Sequence, residues 1–295
     1  MIQFKTFRFK FIEKMVPFIL ISLLAIGGTV YLMMSRGLNL GTDFKGGIKL
    51  QYRLSSPVEE GVIRKLIEPL DLGDFSVQKV GDPAENRLVV KAELREDLQT
   101  VSEKVTTAFR EKLAGQEVTL ESEESVGPKA GADLRKKAQL AIIVSWLLML
   151  IYVGFRFRFV PAAASIVALV HDVIVTLGVF ALTGKEFNLP IVAAVLTIIG
   201  YSINDTIVVF DRIRENTRLS RRSELGEVIN ASINQTLSRT ILTGGTTLIT
   251  VLAFLFLGGE VISDFAFALL VGILVGTYSS IYVASPILLA FPGYS

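Results

Sequence analysis

Gly200-Tyr-Ser-Ile-Asn-Asp-Thr-Ile-Val-Val-Phe-Asp-Arg-Ile-Arg-Glu-Asn216 closes an apolar run that starts at Leu189 and is long enough to cross a bilayer, yet it holds an ionisable residue, Asp205, inside that run. An acid near the centre of a helix in hydrocarbon costs roughly 2.5 to 3.5 kcal/mol on insertion scales, so such groups face other helices or water and mark ion pathways. Asp205 is therefore the leading functional candidate, and the fold has to be one that shelters it.

Working outward, comparable runs occur at Val16–Met34, Ala138–Phe155, Val160–Leu182, Leu237–Leu257 and Phe265–Ala290. With Leu189–Phe210 they make six spans, and 51% hydrophobic residues with a mean hydropathy of +0.54 place the chain among polytopic α-helical membrane proteins. The first run is longer than a signal-peptide core and lacks a small-x-small cleavage site, so it reads as an uncleaved helix over residues 16–35. The formal charge of +2 comes from basic residues grouped at helix ends, a pattern of membrane orientation that argues against a nucleic-acid surface. With no cysteine there is no disulfide, thiolate metal site or thiol nucleophile, and no zinc or haem motif is present, so no cofactor, metal or catalytic set is expected.

Residues 1–15 alternate Phe4, Phe7, Phe9 and Phe11 with Lys5, Arg8, Lys10 and Lys14, as a cytoplasmic amphipathic anchor at the headgroups would. Basic residues recur after span two (Arg156, Arg158) and after span four (Arg212, Arg214, Arg218, Arg221, Arg222), whereas the opposite short loops hold only Lys185. By the positive-inside rule both termini are cytoplasmic and the long segment after span one lies outside. Arg135, Lys136 and Lys137 abut span two on the outer side, where a long translocated domain is exempt from the count. Leu225, Val228, Ile229, Ile233 and Leu237 recur at helical spacing, predicting a cytoplasmic amphipathic segment near 220–236 that rests on the membrane lipid or on a partner.

Residues 36–137 form the soluble part. Ile48, Leu50, Tyr52 and Leu54 alternate as a strand, and Ser56-Pro57 supplies a cap and first-turn proline for a helix through Ile67. Strands follow near Phe75–Val80 and Leu88–Ala92, then a helix from about Arg95 to Leu113 and a strand beginning at Val118. The βαββαβ order predicts one α+β ferredoxin-like extracytoplasmic domain between helices one and two, a fold that hosts many functions and identifies none.

At about 1.5 Å per residue, Asp205 lies about 9 Å inside the Asp211-Arg212 end of span four, and Arg239 lies at a comparable depth in span five. An acid near a fixed cation changes its proton affinity as their separation or hydration changes, which is the minimal equipment of a proton relay. Ser202, Asn204, Thr206, Thr240, Thr243 and Thr247 add polar groups on the same two spans, as a hydrated crevice would. The alternative is that Arg239 snorkels to lipid phosphate and Asp205 hydrogen-bonds a neighbouring helix. Span three holds His171 and Asp172 near the midplane; adjacent residues point about 100° apart, so Asp172 is taken as a secondary relay and His171 as a relay neighbour or a packing residue. Gly244-Gly245 and Gly272-x-x-x-Gly276, the latter followed by Ser279 and Ser280, are small faces for close helix packing.

The Gly41-Thr-Asp-Phe-Lys-Gly-Gly47 turn after span one, His171-Asp172, the Ser202 to Asn216 motif and Leu237-Ser-Arg-Thr-Ile241 together resemble the SecF family of the protein-export machinery, over nearly the whole chain. The resemblance implies a six-helix half of a transporter related to the resistance-nodulation-division superfamily. Such a subunit pairs with SecD in the cell inner membrane and assists the SecYEG channel, with ion flow, usually of protons, moving the external domain that draws the translocating polypeptide outward. By motif match Asp205 and Arg239 fall where that family places its ion-coupling residues. The C-terminal Phe291-Pro-Gly-Tyr-Ser295 lacks a basic tail, so its cytoplasmic placement rests on helix count.

Two other classes stand beside this. A small-molecule efflux subunit of the same superfamily would normally carry twelve spans and two large external domains, and a passive translocon scaffold would leave Asp205 without a task. An intramembrane aspartyl protease would need Gly-x-Gly-Asp, whereas Ser-Ile-Asn precedes Asp205.

Overall fold

The computed structural model describes residues 9–73, 75–92, 98–113, 115–157, 159–220 and 223–291. The expectations for Phe4, Lys5, Phe7, Arg8, Arg95, Arg158, Arg221, Arg222 and residues 292–295 lie outside them. In chain order the elements are α1 (Met15–Ser35), α2 (Thr42–Lys45), β1 (Gly47–Leu54), α3 (Glu60–Ile67), β2 (Phe75–Val80), β3 (Arg87–Ala92), α4 (Leu98–Lys112), β4 (Val118–Val126), α5 (Pro128–Arg156), α6 (Phe159–Thr183), α7 (Leu189–Leu219), α8 (Leu225–Leu257) and α9 (Gly259–Ser279). Among the described residues six helical stretches are long and apolar enough to span a membrane, and the chain is a polytopic helical membrane protein with a small sheet domain.

The soluble unit covers residues 40–139 with 187–189. Its four strands lie in the order β2-β3-β1-β4, every neighbouring pair antiparallel, which is the split βαβ arrangement of a ferredoxin-like fold. Alternation sends Ile48, Leu50, Tyr52 and Leu54 of β1 and Leu88, Val90 and Ala92 of β3 into one core, where they meet Ile63 and Ile67 of α3 and Val101, Val105 and Phe109 of α4. Tyr52 is fully buried, edge-on to Phe109 at 4.9 Å, with its hydroxyl 2.9 Å from Thr106 Oγ1. The register of β4 shifts at Gln51/Tyr52, leaving Glu121 as the extra residue of a bulge, where it pairs with Arg53 at 2.6 Å and Arg87 at 2.9 Å.

One helix start differs from the expectation. Helix α3 begins at Glu60, not at Pro57, because the carbonyl of Glu59 accepts the first amides, from Val62 and Ile63. The glycine-rich turn is also more than the start of a strand. Gly41 opens the short helix α2, Gly46 closes it through its N–H to the Thr42 carbonyl, and β1 starts at Gly47. Both final glycines have positive φ, and an added Cβ would meet the Pro128 backbone at 2.8 Å from Gly46 and the Ala92 carbonyl at 2.7 Å from Gly47. The turn's Asp43 accepts the Leu189 N–H at 2.8 Å, and Phe44 stacks on Phe187 at 5.9 Å.

The membrane unit covers residues 1–39, 140–186 and 190–295. In lipid the backbone must be satisfied within the helix, and what separates the spans is their neighbours. Of the apolar stretch of α7, 56% is buried in the protein and of α6 50%, against 6% for α5 and 11% for α1, so α6 and α7 are the central spans. Small residues make the contacts close: a Cβ on Gly178 of α6 would collide with Thr29 of α1, and one on Gly272 of α9 with Ile198 of α7. The amphipathic segment and span five prove to be one continuous helix, α8, because Leu225, Val228, Ile229 and Ile233 keep the helical phase without a breaker into Leu237.

Candidate functional site

Asp172 is the node of the membrane unit. It is 1% exposed on α6, and its Oδ2 accepts hydroxyls from Ser202 of α7 at 2.6 Å and Ser279 of α9 at 2.9 Å. Its Oδ1 lies 3.0 Å from Nδ1 of His171, and the Thr176 hydroxyl donates to its backbone carbonyl at 2.7 Å. Glycine makes this meeting possible: an added Cβ at Gly276 would stand 2.9 Å from Cβ of Ser202, so the bare backbone there lets α7 come close to α9. Three spans are thereby joined through one carboxyl.

His171 and Asp172, expected to diverge, therefore both turn into the same site. The two side chains meet directly, Nδ1 to Oδ1 at 3.0 Å, and the imidazole stacks on Tyr278 of α9 at 6.1 Å. Tyr278 in turn donates its hydroxyl to the Phe18 carbonyl of α1 and lies 2.9 Å from Ser22 Oγ.

Asp205 is on α7, one helical turn beyond Ser202, and is 5% exposed. Among the described residues it forms no hydrogen bond and no ion pair, though the charge of Arg239 on α8 acts on it. Arg239 itself is exposed on the outer side of α8 and likewise has no ion-pair partner among the described residues. The other predicted polar groups divide. Thr206 is buried and its hydroxyl approaches the Ser202 carbonyl at 3.4 Å. Thr247 donates to the Thr243 carbonyl at 2.9 Å and accepts from Tyr201 at 3.4 Å, a separate contact between α8 and α7. Asn204 is exposed and belongs to neither group. A single crevice holding all of them is thus not what these residues form.

Sequence reasoning assigned Ser279 to packing and missed it as a donor to Asp172. The available signal was its spacing, because Gly276 and Ser279 are three apart and so share a helix face. At the α7–α8 end, Asn216 reaches Ser232 at 2.8 Å and Gln235 at 2.9 Å, and Arg156 of α5 pairs with Asp211 of α7 at 2.8 Å.

Comparison with known proteins adds the family. The C-terminal part of the protein-export membrane protein SecD/SecF family matches residues 104–293, and the SecD/SecF GG motif matches residues 31–58, which contain the Gly46-Gly47 turn. The protein translocase subunit SecF of Calditerrivibrio nitroreducens is 44% identical over 281 residues, 93% of this chain and 91% of that one. The protein translocase subunit SecDF of Thermus thermophilus is 42% identical over 274 residues, which are 92% of this chain and 36% of that longer one. The crystal structure of SecDF from that organism, described as a translocon-associated membrane protein, superposes with a TM-score of 0.86 at 40% identity, covering 97% of this chain and 39% of the other. On motifs, full-length relatives and fold alike, the chain belongs to the SecD/SecF family of protein translocase subunits.

Proposed function

We propose that this chain is a SecF-type subunit that pairs with a SecD-type partner in the cell inner membrane and uses the proton-motive force to assist polypeptides leaving the SecYEG channel. The pairing is supported by the SecDF relative, whose chain continues well beyond the part matched here. Both termini and the α7–α8 connection are cytoplasmic in this reading and the ferredoxin-like unit is outside. Two ion pairs support that alternation: Arg156 with Asp211 joins the ends of spans two and four, and Lys185 with Asp264 joins the end of span three to the start of span six.

The observation that carries the reading is Asp205, a carboxyl buried in the most enclosed span with no hydrogen-bond donor among the described residues and a cation on the next helix. A buried charge without donors is costly, so the arrival or departure of a proton there changes the energetics of the helices around it more than at any satisfied group. Asp205 and Arg239 form the primary relay and the site around Asp172 the second station, with Ser202 and His171 beside that carboxyl. Asp205→Asn, at normal membrane level and partner assembly, is expected to abolish proton-dependent stimulation of export into inverted vesicles; undiminished export would leave the scaffold reading in its place.

A further inference from the structure

His171 is the chain's single histidine. It is 4% exposed, its Nδ1 faces Asp172 Oδ1 at 3.0 Å, and its Nε2 is buried without a hydrogen-bond partner among the described residues. Asp172 is supplied with donors as a carboxylate should be: Ser202 and Ser279 at Oδ2 and the ring at Oδ1. A carboxylate only accepts, so the hydrogen between the two groups sits on Nδ1, and the neutral ring then presents a bare lone pair at Nε2. A basic nitrogen with an open lone pair, oriented by an anion on its far side, is the arrangement in which an imidazole takes up a proton and the carboxylate offsets the charge.

We propose that His171 Nε2 is the atom of this pair that binds and releases a proton, while Asp172 stays ionised and acts as its orienting counter-charge. This reverses the roles expected from sequence, deepens the ion-coupling reading, and rests on that reading for the use made of the proton. The step is a simple association: H⁺ adds to the Nε2 lone pair, the ring gains one unit of positive charge, and release is the reverse. Beside the ring, helix α6 supplies Asp172, and α9 supplies Tyr278, whose hydroxyl is directed at the Phe18 carbonyl. The turn after α9 supplies Tyr282, beside Tyr278 at 5.5 Å, and α1 supplies the Ser22 hydroxyl and no charge. From α7, Ser202 reaches Asp172, and Asp205 lies one turn further along that helix.

With one histidine, ¹⁵N-histidine labelling of the full chain in lipid bilayers gives a single imidazole to follow. At alkaline pH the ring should carry its hydrogen on Nδ1 with Nε2 bare, and acidification should protonate Nε2 with the Nδ1 hydrogen retained. Asp172→Asn should abolish the preference for the Nδ1 hydrogen. Should that variant not fold, the parent spectra decide alone. A ring with its hydrogen on Nε2 at alkaline pH, or one protonation state throughout, overturns the proposal. Asp205→Asn should leave the titration in place, so a failure of the export reading at Asp205 and a failure at His171 are read by different measurements.

Discussion

Asp172 and Asp205 are both acids buried in central spans, and their surroundings give them different work. Asp172 has donors from three side chains and behaves as a fastening point, whereas Asp205 has none among the described residues and only the field of Arg239. A double-mutant cycle on Asp205→Asn and Arg239→Gln, read as proton-dependent export, is expected to show a coupling of at least about 0.5 kcal/mol; strictly additive losses would separate the two residues. Gly276 is the residue on which the Asp172 junction depends for space. Gly276→Ala puts a methyl against Ser202, and an overpacked contact of this kind costs about 1 to 3 kcal/mol, so lower thermal stability in detergent and weaker export should appear together. In the soluble unit, burial pushes the Tyr52 hydroxyl from 10.0 up to about 12. The folded state therefore holds that proton more firmly than the unfolded state does: its stabilising contribution is complete below pH 10 and is lost as pH rises towards 12, by an amount of order 2 kcal/mol. Alkaline unfolding followed through that window should be steeper for the parent than for Tyr52→Phe.

Among the elements, the strongest local constraint is the turn into β1. Gly47→Ala adds a methyl to a residue at φ 146° whose Cβ would press on the Ala92 carbonyl, so a loss of at least about 2 kcal/mol in the soluble unit is expected, measured as a fall in Tm of the full chain. Beyond α9 the helix widens into a π turn at Ser280–Ala284. Pro286, which follows, has no N–H to donate, and the Ser285 hydroxyl supplies a donor to the Ser280 carbonyl at 2.7 Å. Tyr282 of this turn stands in a file of rings from Phe9 through Phe11 and Tyr278 to His171, each about 5.5 to 6.1 Å from the next. The start of that file is gripped by α8. Asn234 exchanges two bonds of 2.8 Å with the Phe9 backbone, and Asn230 accepts from Phe11 at 2.8 Å. Asn234→Ala removes two of these bonds, each worth about 1 kcal/mol, so amide exchange of residues 9–12 should accelerate roughly tenfold or more.

For the whole molecule, orientation is the property on which the proposed direction of export depends. The chain has no native thiol, so single cysteines at Ser76 in β2 and Ser220 after α7 report cleanly. Ser76→Cys should react with a membrane-impermeant reagent from outside intact cells and Ser220→Cys only after the cytoplasm is opened; the opposite pattern would invert the topology. The sequence by itself determined six spans, a βαββαβ soluble unit and the family, because hydrophobic length, two-residue and 3.6-residue periods and motif spacing are local properties that a chain carries before it folds. It determined as well that Asp205 and Asp172 lie in apolar surroundings. Tertiary structure alone decided that Asp172, not Asp205, is where three spans are joined, that His171 turns to the same site, and that Asn204 and Arg239 face outward. The physical reason is distance along the chain: Asp172 meets Ser202 and Ser279 only where helices remote in sequence approach closely enough, at Gly276, for side chains to touch, and no periodicity within one helix encodes which neighbour will be there.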